Sequence, residues 1–118
     1  MAAALPDREW SPSSPPVTEP DFATCRVLVL HYWARWNLHD REMDNRLARL
    51  RPDFEGRVCF RSCDVDRVEN RPWVRGIANV PALGCFLDGK WFKSLVGMRC
   101  DGELRSTLAG WIAAAAPA

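Results

Sequence analysis

No two of the five cysteines (Cys25, Cys59, Cys63, Cys85, Cys100) stand in a CxxC spacing, and none shares a zinc-ligand spacing with His31 or His39. The first absence removes the usual redox dithiol, and the second removes a structural metal site. An odd set of thiols also makes no complete disulfide framework, so the expectation is reduced thiols buried as small hydrophobes. A strong charge of one sign is missing too: 16 Lys and Arg against 15 Asp and Glu leave a formal net charge of +1. That is too weak a field to gather a polyanion, and nucleic acid is not an expected partner. No apolar run approaches the roughly 20 residues needed to span a bilayer. Met1 to Asp7 show neither the basic start nor the apolar stretch of a secretory signal. A soluble, cytoplasmic protein with no membrane partner is expected.

What is present is one domain's worth of chain, 118 residues with 47% hydrophobic composition, enough to bury a core without covalent staples. Five of the nine prolines fall in residues 1–20, a composition that forms neither helix nor central strand. The expected organisation is therefore a proline- and serine-rich arm over 1–20 and a domain over 21–118. Trp10 is a large aromatic in that polar arm, with the domain as its nearest apolar surface.

The run Val27-Leu-Val-Leu-His-Tyr-Trp33 is short, continuous and β-rich, the pattern of a strand buried on both faces. Met43, Leu47, Leu50 and Phe54 then recur at helical spacing until Pro52 and Gly56 end the element. Arg57 to Val65 reads as a second strand, and a short helical segment ends at Gly76. Ala82 to Leu87 and Lys90 to Val96 flank Asp88-Gly89, a pair suited to the positive φ angles of a tight hairpin. Leu104, Leu108, Trp111 and Ile112 line one face of a last helix starting near Asp101. The order is β-α-β-α-β-β-α, an α/β chain with a mixed sheet flanked by helices.

Within that order, Trp33-Ala34-Arg35-Trp36 resembles the W-A-x-W segment that leads into the CGPC dithiol of the thioredoxin family. Asp64-Val65-Asp66 resembles the family's stretch after the next strand, and Gly76 to Pro81 resembles the segment that carries its cis-proline. Asp88-Gly89 matches the family's hairpin turn and Gly97 a glycine beside its active site. The resemblance runs from Val27 to about Ala113 and implies the thioredoxin fold with a cis Val80–Pro81 bond. It also implies a peptide groove formed by Trp36, Asn79, Val80, Pro81, Gly97 and Met98.

The departures decide the expected function. Where the family has C-G-P-C, the chain has Asn37-Leu38-His39-Asp40; the family's buried aspartate is replaced by His31 and its lysine neighbour by Ser62. Exchange needs a thiolate nucleophile, which neither Asn37 nor Asp40 can supply. Asn37 and Asp40 are expected to cap a helix start. His31 is expected to be a neutral core histidine satisfied by hydrogen bonds. His39 and Asp40 point apart and make no acid–base pair. Cys59 and Cys63 lie about 13 Å apart along one strand, too far for a disulfide with each other. The reading that follows is a redox-inactive module, not an enzyme, that binds an extended protein segment at the cis-proline groove and needs no metal or cofactor. The alternative is a thiol-redox protein using a cysteine outside the motif, with Cys100, just ahead of the last helix, the best placed.

Overall fold

A computed structural model describes residues 10–74, 76–77 and 79–115 of the chain. Four strands form one mixed sheet in the order β2-β1-β3-β4. The strands are β1 (Val27–Trp33), β2 (Cys59–Asp64), β3 (Ala82–Leu87) and β4 (Lys90–Val96). All seven residues of β1 are buried, as its unbroken apolar run requires of a strand covered on both faces. It pairs parallel with β2, placing His31 opposite Ser62 and Leu28 opposite Cys59. On its other side it pairs antiparallel with β3. The β3–β4 hairpin turns at Asp88 and Gly89, whose φ values of 51° and 81° are those the Asp-Gly pair was expected to supply.

Helix α2 (His39–Leu50) buries Met43 and Leu47, with Phe54 just beyond its end, against Val29 of β1 and Leu83 of β3. Helix α4 (Asp101–Ala115) covers the same face through Leu104, Leu108 and Trp111. The opposite face gathers Leu28, Leu30, Tyr32, Cys63, Ala82 and Phe86. It is covered by the four-residue helices α1 (Asp21–Thr24) and α3 (Arg71–Val74) and by Val17. Phe22 of α1 meets Phe86 edge-on and stacks on Trp73. The Tyr32 hydroxyl donates to the Trp73 carbonyl at 2.5 Å, which ties α3 to the central strand.

The proline-rich segment lies against this domain. The Val17 N–H donates to the Ser62 carbonyl and the Ser62 N–H to the Pro15 carbonyl, each at 2.8 Å, making a single parallel bridge on the outer edge of β2. Ser13 donates through its N–H and hydroxyl to Asp44 of α2. Trp10 meets Trp33 edge-on at 5.5 Å and lies under the Arg41 guanidinium.

Candidate functional site

Two places at opposite ends of β1 carry the candidate chemistry. The first is the start of α2, reached directly from Trp33. Asp40 is fully buried, and its Oδ2 accepts the Ala34 N–H at 2.8 Å. Its Oδ1 stands 3.9 Å from Nε2 of the equally buried His31. The expectation that His31 would be satisfied by hydrogen bonds is corrected here. Neither of its ring nitrogens, nor Asp40 Oδ1, has a hydrogen-bond partner among the described residues. An imidazole from β1 therefore faces a carboxylate from α2 inside the core. His39 points to solvent, as its position beside Asp40 on the helix start dictates.

Asn37 links this helix start to the next loop. The N-cap of α2 is Leu38 rather than Asn37 or Asp40; Asn37 Oδ1 accepts the His39 N–H at 2.9 Å from one residue further out, and its Nδ2 donates to the Val80 carbonyl at 2.7 Å. The Val80–Pro81 bond is cis. Gly97, at a φ of 97°, donates its N–H to the Pro81 carbonyl at 2.9 Å. The structure thus brings Asn37, Val80, Pro81 and Gly97 together. Asn79 is exposed, and Met98 packs partly into the core. Trp36 is 69% exposed and directs its indole N–H to Asp66 at 3.1 Å. The carbonyl next to the cis-proline, which strand addition would use, already accepts one hydrogen bond, from the Asn37 amide.

The second place lies at the other end of the sheet, about 20 Å away along the seven residues of β1. Cys25, just ahead of β1, and Cys59, the first residue of β2, are joined in a disulfide with their Cα atoms 6.0 Å apart. The expectation that all five cysteines are reduced is therefore corrected. The physical reason is the parallel pairing of β1 with β2, which sets the beginnings of the two strands side by side. Nothing in local spacing reveals it, because the two cysteines are 34 residues apart. The available signal was topological: each precedes or opens one of two strands expected to run parallel.

The remaining thiols divide by environment. Cys63 and Cys85 are completely buried, and burial pushes each thiol up to about 12, with the Asp64 charge adding to the effect at Cys63. Their folded values lie above the ordinary 9.0, so the stabilisation from keeping them neutral is complete below pH about 9. It is lost as pH rises through about 12. Urea unfolding midpoints should therefore fall over pH 9 to 12, and replacing both residues by Ala should flatten that alkaline slope. Cys100 is exposed, and its thiol donates to Glu103 at 3.6 Å.

Among the described residues no group of three or more His, Cys, Asp or Glu could hold a metal ion. No helix among them is long and apolar enough to cross a membrane.

The family model described as Thioredoxin matches residues 21–110. In a comparison of folds, the oxidised form of mitochondrial thioredoxin 3 from Saccharomyces cerevisiae superposes with a TM-score of 0.72 at 19% identity. The match covers 83% of this chain and 95% of that one. A point-mutant thioredoxin from Halobacterium salinarum NRC-1 gives a TM-score of 0.68 at 21% identity, covering 94% of this chain and 96% of that one. No curated protein matches the sequence. The chain belongs to the thioredoxin family.

The expectation of a redox-inactive binding module is overturned. It rested on the loss of the dithiol at Asn37 and Asp40 and on five reduced cysteines, and a disulfide pair is present at the far end of the sheet in a thioredoxin-family domain.

Proposed function

We propose that this protein is a thiol–disulfide exchange protein whose redox couple is Cys25–Cys59 in place of a CxxC dithiol. The disulfide joining these two residues in a thioredoxin-family domain is the observation that carries the reading. The substrate class is a protein dithiol or its disulfide. In the reductive half, a partner thiolate attacks one sulfur of Cys25–Cys59. A mixed disulfide forms, the Sγ–Sγ bond breaks, and the displaced cysteine leaves as a thiolate. The partner's second thiol then resolves the mixed disulfide. The partner leaves as a disulfide, two electrons lie on Cys25 and Cys59, and the reverse sequence oxidises them again. The lone thiol of Cys100 can accept a mixed disulfide but cannot close one by itself.

Protein purified without reductant should show three alkylatable cysteines after denaturation and all five after dithiothreitol, matching the three free thiols. Equilibration in glutathione buffers should then give a two-electron transition above about −300 mV, the range below which structural disulfides fall. Five free thiols before reductant, or a bond that stays closed throughout the glutathione series, would overturn the proposal.

A further inference from the structure

The two sulfurs of Cys25–Cys59 are not equivalent. Both pack with the core cluster of Leu28 and Phe86, but Cys25 is 5% exposed and buried within it, whereas Cys59 is half-buried against it from an edge strand. An incoming thiolate needs access to the sulfur it attacks and a stabilised thiolate on the other. Access selects Cys59. The question is what receives the charge left on Cys25.

Thr24, the last residue of α1, holds its hydroxyl 3.9 Å from Cys25 Sγ. In the disulfide state that hydroxyl donates to the Pro20 carbonyl at 3.1 Å, because a bonded sulfur is a weak acceptor. Once the bond breaks, Cys25 becomes an anion, and a hydrogen bond to an ionised acceptor is roughly twice as strong as a neutral one. The Cys25 N–H cannot serve, since it already donates to the Asp21 carbonyl at 2.9 Å. The guanidinium of the adjoining Arg26 is turned to the Ala115 carbonyl.

On the reading that Cys25–Cys59 is the redox couple, we infer that exchange is directional: the partner thiolate attacks Cys59, Cys25 is the leaving group, and the Thr24 hydroxyl donates a hydrogen bond to the departing thiolate. The new bond joins the partner sulfur to Cys59, the electron pair of the broken bond stays on Cys25, and no proton is transferred in the step.

The test uses the full chain with Cys100→Ser, which removes the exposed free thiol. In that background, Cys25→Ser leaves Cys59 and Cys59→Ser leaves Cys25. Iodoacetamide should alkylate Cys59 in the first at least tenfold faster than Cys25 in the second, and a faster Cys25 would overturn the direction of attack. Adding Thr24→Val to the Cys59→Ser protein should move the pH midpoint of Cys25 alkylation up by roughly half a unit to one unit, with Thr24→Ser restoring it. In the intact disulfide, Thr24→Val should slow reduction by glutathione roughly fivefold. An unmoved midpoint would remove Thr24 from the reaction, and Thr24→Ala decides the same point if the valine variant does not fold. If glutathione never opens the wild-type bond, the redox-couple reading fails by itself, while the alkylation profiles still judge Thr24.

Discussion

Reducing Cys25–Cys59 is expected to lower the free energy of unfolding by about 4 kcal/mol. The bond closes a loop of 34 residues, and the chain-entropy estimate for a cross-link of that span gives about this value. A domain of this size has only about 5–15 kcal/mol in total, so the effect is large. Urea unfolding with and without dithiothreitol measures it, and the Cys25→Ser, Cys59→Ser double variant should match the reduced protein. A difference below about 1 kcal/mol would mean that the reduced, unfolded chain already keeps the two segments close, or that closing the bond strains the native sheet. Linkage makes the result matter for function: whatever stability the bond contributes to the fold, the fold returns as resistance of the bond to reduction.

Gly84→Ala is expected to destabilise by about 3 kcal/mol, at the upper end of overpacking costs. Gly84 lies in β3, and its backbone conformation would accept a side chain. A Cβ there would sit 2.6 Å from Tyr32 Cε2, 2.9 Å from the Tyr32 hydroxyl and 3.0 Å from Trp91 Cζ3. Tyr32 cannot retreat, since it is fully buried and its hydroxyl is fixed to the Trp73 carbonyl. The loss should appear in the urea midpoint, accompanied by weakened protection of the α3 amides. An unchanged midpoint would show that the ring can move aside without releasing α3.

The fold was legible wherever one strong local signal decided an element. β1 was readable because a strand covered on both faces admits only apolar residues, and the hairpin because Asp88-Gly89 suits two positive φ angles. Met43, Leu47, Leu50 and Phe54 stated the buried face of α2 in advance. The short elements were less legible: α1 and α3 have four residues each, too few for periodicity, and are held by contacts such as Phe22 with Trp73. The lost CxxC at Asn37 and Asp40 was plain in the sequence. The amide of Asn37 on the Val80 carbonyl was not, because it joins residues 43 positions apart. The disulfide was hidden for the same reason. Spacing along the chain reports disulfides within one element, while Cys25 and Cys59 meet only because β1 and β2 run parallel in one register.

The bridge between the proline-rich segment and Ser62 bears on how the molecule behaves in a crowd. A sheet ending at β2 offers a row of unpaired N–H and C=O groups on which another chain could continue the ladder. At its centre that row is occupied by a segment whose consecutive residues Pro15 and Pro16 have no N–H to pass on. The Pro15 carbonyl is turned inward to Ser62, so a further strand arriving outside finds the Pro16 carbonyl with no N–H beside it, and the ladder is not continued at that point. A stretch that contributes almost no regular structure thus acts as a terminator on the β2 edge of a sheet built around a very apolar central strand.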